Sequence, residues 1–363
     1  MTASNRFEVG IIEGFFGRPW PWADRQAAIG FLADLGFDFY IYAPKADRHL
    51  RKAWTEPWPA ADFERLAALC RDCRAAGLGF GLGFSPFEIY LEDPAGQRSA
   101  LRAKVAELNR IAPSILSIQF DDMTGAVPEL AARQARAVDE ILAASTAERF
   151  VLCPTYYSDD PRLETVFGAM PADYLEDVGR LIDPAVDIYW TGPKIFSDDY
   201  PADHLARVSA QLRRKPFLWD NYPVNDSAKT STFLHLAGFS GRPPRLRTQA
   251  AGHAVNPMNQ AWLSRIPLAS LADSYAQGAA YDPQESCAAA CRRFCGPALG
   301  AALIADLPAF QEQGLNGLDD GARRALVARY RAFTDSPDTA PYAAEVVDWL
   351  EGGYAFDPNC LSD

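Results

Sequence analysis

Short β-rich runs alternate with amphipathic helical stretches through roughly the first 260 residues, and few architectures accommodate that pattern. The runs fall at 7–12, 38–42, 78–84, 115–120, 150–153, 187–190, 216–219 and 252–255. Helical periodicity fills 24–36, 62–77, 98–111, 128–144, 172–182 and 202–213, with Gly36 and Gly77 where helix C-caps would fall. Strict alternation of this kind reads as parallel βαβ units, and eight strands are the number that closes a barrel. The rival is an open doubly wound sheet, which usually carries a glycine-rich phosphate loop after its first strand. That position here reads Glu13-Gly14-Phe15-Phe16-Gly17-Arg18-Pro19-Trp20, too aromatic to cradle a dinucleotide. Beyond Pro283 the pattern becomes helical throughout, over 285–295, 298–312, 319–334 and 341–350. The expected fold is therefore α/β: a (β/α)8 TIM barrel over 1–282, then a small all-α C-terminal domain over 283–363. Those helices are expected to pack on the barrel or on a second copy of the chain, as a homodimer.

A formal net charge of −12 argues against nucleic acid or an anionic membrane as a partner, because both would repel the chain. The first residues, MTASNRFEVG, lack a basic region followed by an apolar run. No stretch approaches 18 uninterrupted apolar residues, so no membrane span is expected. The seven cysteines form no framework, which suits a reducing cytoplasm. Cys70 and Cys73 lie inside a helical pattern, and Cys287, Cys291 and Cys295 share one helical face. Both sets read as small buried hydrophobes. The four histidines are far apart, so no metal is expected.

Barrel enzymes carry their chemistry on the loops after the strands, so functional side chains should bunch there. The strand ends read Glu13-Gly14, Tyr42-Ala43-Pro44-Lys45, Asp121-Asp122, Pro154-Thr155-Tyr156-Tyr157 and Trp190-Thr191-Gly192. Strand 7 ends in Trp219-Asp220-Asn221-Tyr222-Pro223-Val224-Asn225-Asp226, and strand 8 in Asn256-Pro257. Carboxylates and amides that bind hydroxyls, beside aromatics that stack on a ring, are what sugar recognition requires. Asp121-Asp122 is the strongest feature. Successive strand residues face opposite ways, so both can reach one site only where the strand ends and the chain turns. Two adjacent carboxylates resist ionising together, and a raised carboxyl pKa suits a general acid. The plainer readings of the pair are a turn, or an N-cap for the helix near Pro128. Ordinary glycosidase carboxylates flank the scissile bond about 5–5.5 Å apart for retention or about 6.5–9.5 Å for inversion. Consecutive residues do not easily straddle a bond, so a route in which the sugar's own 2-acetamido oxygen attacks C1 fits better.

These residues resemble glycoside hydrolase family 84, which contains the protein O-GlcNAcases and related β-N-acetylglucosaminidases. The resemblance spans about Gly10 to Pro283 and rests on seven ordered motifs. They are GIIEGFFGRPW from Gly10, YIYAPKAD from Tyr40, QFDDM from Gln119, CPTYY from Cys153, WTGPK from Trp190, WDNYPVND from Trp219 and NPM from Asn256. The resemblance implies a retaining exo-β-N-acetylglucosaminidase that works through an oxazoline, without a cofactor, on an N-acetylglucosamine-bearing glycoprotein or oligosaccharide. Asp121 would orient the acetamido group and Asp122 would be the general acid, then the general base. Tyr157 would bond the acetamido oxygen and Trp219 would wall its methyl pocket. Asp226 would accept from O4 and O6 with Asn256 beside it, and the Gly14 carbonyl and Lys45 would hold the O3 side. Asn221 would contact the sugar or steady the acid. Singly, these residues have plainer readings: Gly14 a tight turn, Lys45 a surface charge, Asn256 a loop residue, Trp219 core. The region after Pro283 matches no pattern of the family. Two alternatives stand: a non-catalytic N-acetylglucosamine-binding barrel, and a hexosaminidase for free or cell-wall-derived oligosaccharides. An enzyme for sugars lacking the acetamido group would need a separate nucleophile, for which Asp226 is the nearest candidate.

Overall fold

The computed structural model describes residues 6–91 and 94–353, together with Phe356 and Cys360. Eight parallel strands close a barrel in chain order. They are β1 (Glu8–Glu13), β2 (Phe39–Tyr42), β3 (Gly79–Phe84), β4 (Ile115–Gln119), β5 (Arg149–Cys153), β6 (Asp187–Trp190), β7 (Phe217–Asp220) and β8 (Gly252–Val255). Each falls within one residue of the expected limits. Pairing of Ile11 with Tyr40 on one side and with Val255 on the other seals the ring. Gly10 permits that closure. A Cβ there would stand 2.4 Å from the Phe39 ring, far inside van der Waals contact.

Helices between the strands form the outer layer: α1 (Trp22–Asp34), α2 (Ala60–Ala75), α3 (Pro94–Ile111), α4 (Leu130–Ala144), α5 (Arg162–Phe167), α6 (Tyr174–Leu181), α7 (Ala202–Leu212) and α8 (Leu246–Gln249). Gly36 and Gly77 do end α1 and α2, at φ +74° and +80°. The Gly36 N–H reaches Ala33 O and Phe37 N–H reaches Leu32 O, the paired bonds of a Schellman cap. Gly77 and Leu78 repeat them on Arg74 and Cys73.

Helix α9 (Arg265–Gln277), absent from the expected pattern, follows β8. Nearly every residue from Ile266 to Leu271 is buried, so it shows no polar stripe for periodicity to detect. Then come α10 (Pro283–Ala305), α11 (Gly314–Gly317), α12 (Asp320–Arg331) and α13 (Ala340–Leu350). The expected helix over 298–312 is shorter. It is the second half of α10, bent away from the first at Gly296 (φ 73°) and Pro297, and a π-helical turn, Ala309–Gln313, follows. By length and composition α10 could cross a membrane, but Cys287, Cys291, Cys295, Leu299 and Leu303 are buried along its inner side.

The C-terminal helices share a hydrophobic core with the barrel's last segments. Cys291, Leu299, Tyr330 and Trp349 pack with Leu234, Leu236, Met258 and Ile266. Polar clasps reinforce that seam. Glu345 accepts the Trp262 and Leu263 amides at 3.0 and 2.8 Å, and Trp349 Nε1 donates to Ser231 O at 3.1 Å. Arg18, on the loop after β1, pairs with Asp348.

Candidate active site

At the C-terminal mouth of the barrel, one pocket is lined by Gly14, Lys45, Asp121, Asp122, Tyr157, Trp219, Asn221, Asp226 and Asn256. These are the nine residues singled out from the sequence, carried by the ends of six different strands. Phe16, Cys153, Thr191, Ile195, Phe196 and Val224 complete the wall.

The two aspartates follow β4, where the Phe120 amide still pairs with Cys153 O. Asp122 then takes φ +55°, left-handed backbone that aspartate tolerates better than most residues. This turn lets consecutive carboxylates face one cavity. Arg51 holds it, donating from Nη2 to Asp122 O at 3.0 Å. Strain of this type persists where surroundings over-determine the backbone, and it clusters at functional sites.

The pair is electrostatically unequal. Asp121 Oδ2 is ion-paired with buried Lys45. Its Oδ1 is buried and has no hydrogen-bond partner among the described residues, an arrangement that costs free energy unless a donor is supplied. Burial raises the Asp122 carboxyl to about 6, with the Asp121 charge adding to it. Lys45, Arg51 and a hydrogen bond from Tyr157 partly offset that rise. Mutual repulsion is thus the second cause, and desolvation the first. Burial, then the charges of Asp122 and Asp121, push the Tyr157 phenol well up, with the Cys153 and Cys360 thiols adding to it.

Opposite, Asp226 accepts the Phe16 amide at 2.9 Å, and burial raises its carboxyl to about 6. The Trp219 indole lies against Gly14, where a Cβ would come within 2.6 Å of the ring. Its Nε1 donates to Asn221 Oδ1 at 2.9 Å, and its ring meets Tyr189 edge-on at 5.1 Å. Asn221 also accepts from Asn256 Nδ2 at 3.1 Å and donates to Ile195 O at 3.0 Å. Asn256 in turn accepts the Gly14 amide at 3.2 Å. Asn221 and Asn256 therefore tie the tops of β1, β7 and β8 and the loop after β6 into one wall.

Other strand-end polar residues serve the frame. Glu13 is fully buried against Arg25 Nε at 2.9 Å and also accepts from Tyr40. Tyr156 donates to Gly168 O at 2.6 Å, and Trp190 donates to His204 at 2.9 Å. Asp220 is taken by Arg242 and His253. Sequence reasoning did not separate Cys153 and Thr191 from their motifs as pocket residues, although both lie in strand-end motifs. Arg51, which holds the Asp122 carbonyl from outside the pocket, carries no such signal, since it does not directly follow a strand.

A family model described as beta-N-acetylglucosaminidase matches residues 9–307. The protein O-GlcNAcases of Rattus norvegicus and Mus musculus are each 29% identical to this chain over 282 residues, 75% of its length. That alignment covers 30% of each relative, so the chain spans about a third of their length. Among solved structures, a mutant O-GlcNAc hydrolase of Thermobaculum terrenum superposes with a TM-score of 0.75 at 25% identity, covering 95% of this chain and 81% of that one.

Proposed function

The chain belongs to the β-N-acetylglucosaminidases of glycoside hydrolase family 84, and on that premise we propose that it is a retaining exo-β-N-acetylglucosaminidase using substrate-assisted catalysis. The observation that carries this reading is the asymmetry of the adjacent aspartates: one a lysine-paired carboxylate with a buried, unpartnered oxygen, the other a carboxyl raised to about 6. An acetamido N–H supplies the missing partner of Asp121 Oδ1. Held there, the amide is polarised and its carbonyl oxygen attacks C1. The C1–O bond to the leaving group breaks as Asp122 delivers its proton to the departing oxygen, and Asp121 takes up the amide N–H proton, giving an oxazoline; the proton returns to nitrogen when the ring reopens. Asp122, now a carboxylate, removes a proton from water as that water attacks C1. The ring opens, and two inversions leave the configuration retained.

Supporting residues follow from the same pose. Trp219 walls the acetamido methyl, Tyr157 bonds the acetamido oxygen, and Asp226 accepts from the hydroxyls at the far end of the sugar. Lys45 and the Gly14 carbonyl hold the O3 side. Asn221 acts by fixing Trp219, because its mapped bonds go to the wall. Cys70, Cys73, Cys153, Cys287, Cys291 and Cys295 are buried thiols, which supports a reducing compartment such as the cytoplasm.

Leaving-group dependence tests the roles. Asp122→Asn should spare aryl glycosides with good leaving groups, which need little protonation. Asp121→Asn should slow good and poor leaving groups alike, because the attacking amide loses its orienting partner. Equal sensitivity to leaving group in both variants would overturn the assignment.

A further inference from the structure

The run from Asp121 to Gly125, just past β4, carries the general acid. Asp121 pairs with Lys45 inside the pocket, and the residues after it are held from outside. Arg51 Nη2 donates to Asp122 O at 3.0 Å, and Tyr90 Oη donates to Thr124 O at 2.8 Å. Between them the Glu88 amide donates to Met123 Sδ at 3.4 Å. At the far end the Gly125 amide reaches Phe167 O at 2.7 Å, and a Cβ on Gly125 would come within 2.1 Å of the Tyr156 hydroxyl. The loops after β2 and β3 thus frame the left-handed turn at Asp122, and they are tied to each other. The Ser85 amide donates to Leu50 O at 2.9 Å, and the Arg51 guanidinium lies 4.9 Å from the Phe87 ring and 5.6 Å from that of Phe16.

We propose that Arg51 and Tyr90 are positioning residues for the proton transfer, aiming the Asp122 carboxyl at the departing oxygen by clamping the carbonyls of Asp122 and Thr124. Neither lines the pocket, so both act through the backbone of the turn. The inference rests on the glycosidase reading above and extends the machinery of that reaction to two side chains beyond the sugar's reach.

Arg51 differs from the buried arginines of the frame. Arg25 ends on Glu13 and Arg242 on Asp220, each a buried carboxylate. Arg51 is equally buried, yet its Nη2 ends on the main-chain carbonyl of the proton donor, and its Nε has no hydrogen-bond partner among the described residues. A guanidinium buried in this way is costly as a mere anchor, because a carboxylate partner would offset its desolvation. The charge bears on Asp122 instead. Burial and the Asp121 charge raise the Asp122 carboxyl, while Lys45 and Arg51 from the loop after β2 and the hydrogen bond from Tyr157 oppose that rise. Asp226, after β7, shares the pocket and repels it, and burial together with both aspartates keeps the neighbouring Cys153 thiol protonated. Removing the Arg51 charge should therefore let Asp122 hold its proton to higher pH. Removing the Tyr90 hydroxyl leaves every charge in place.

The test follows kcat/KM against pH for Arg51→Met, Arg51→Lys and Tyr90→Phe on two β-N-acetylglucosaminides. The 4-methylumbelliferyl leaving group needs little protonation, and the trifluoroethyl leaving group needs much. Each variant should lose about tenfold or more on the trifluoroethyl substrate, the order expected for a misplaced catalytic group, and far less on the aryl one. On the trifluoroethyl substrate the alkaline limb should move to higher pH in Arg51→Met and stay in Arg51→Lys and Tyr90→Phe, which keep the charge. Absence of the selective loss overturns the role of the side chain replaced, and an unmoved limb in Arg51→Met overturns the electrostatic part. Arg51→Met keeps an apolar stem between the two rings, and Tyr90→Phe removes a single hydroxyl, so the clamp is tested even if one variant fails to fold. If wild type turns over neither substrate, the glycosidase reading fails, and carbon NMR of carboxyl-labelled protein still decides whether Arg51 governs Asp122. The Asp122 resonance, assigned by its loss in Asp122→Asn, should titrate at higher pH in Arg51→Met than in wild type, and coincident titrations overturn the inference.

Discussion

Asp122 and Asp220 are both aspartates at the barrel mouth, one just past β4 and the other ending β7, and both are buried. Their surroundings drive them apart. Burial pushes both carboxyls up, but at Asp220 it is overcome by the Arg242 guanidinium and by His253, which hold that carboxyl well below the usual carboxylate range. At Asp122 the nearest charge is another carboxylate, Lys45 is shared with Asp121, and the group stays raised at about 6. The same residue type is thus left able to hold a proton to about pH 6 in one place and made a permanent anion in the other. Position at a strand end makes a carboxylate a candidate, and its partners decide whether it can move a proton.

The sharpest break between the two should come from paired neutral substitutions. Asp122→Asn should lower kcat/KM on substrates with poor leaving groups by about a hundredfold to ten-thousandfold, the span attributed to general acid catalysis, with little change in urea midpoint. Asp220→Asn should do the reverse in the first instance, costing about 3–5 kcal/mol because Arg242 is left buried without its counter-charge. Its signature is also in the pH dependence. A depressed folded-state pKa contributes stability that is present above the unfolded value of 3.8 and lost as pH falls below it, so the acid limb of wild-type stability should flatten in the variant. If Asp220→Asn proved as stable as wild type, the anchor role would be lost.

Next in size is Gly14→Ala. The added methyl must displace the Trp219 indole, and overpacking of this kind costs about 1–3 kcal/mol. The methyl-pocket account expects that cost to appear in turnover of N-acetyl substrates, with N-propionyl analogues losing differently. An unchanged N-acetyl to N-propionyl ratio would count against Trp219 as the pocket wall. The change closest to ordinary conditions, and there the smallest, is a pH limb. Because Asp122 must carry its proton for the first step, kcat/KM on poor leaving groups should decline above pH 6, about tenfold for each unit. That decline should vanish in Asp122→Asn, and a persisting limb would assign it to another group.

Much of this was legible in the chain. The eight runs stood out because each is short, apolar and bounded, and the pocket residues stood out because they follow those runs directly. Residue type alone could not sort the strand-end polar groups. Glu13 and Asp226 look equally functional in the sequence, yet Glu13 meets Arg25 inside the frame while Asp226 lines the pocket. Arg242 was invisible for a different reason: it sits in an irregular loop more than 20 residues beyond Asp220, and only the folded chain brings them together. Helix α9 was missed because burial on most sides removes the stripe that periodicity detects.

The central claim, that the substrate's acetamido group is the nucleophile and the Asp121–Asp122 pair manages it, is tested most directly by 4-methylumbelliferone release from the β-N-acetylglucosaminide and from the β-glucoside. The account predicts turnover of the acetamido sugar alone by wild type, and its sharp reduction in Asp121→Asn. Comparable turnover of the glucoside, or an Asp121→Asn enzyme as active as wild type, would contradict it.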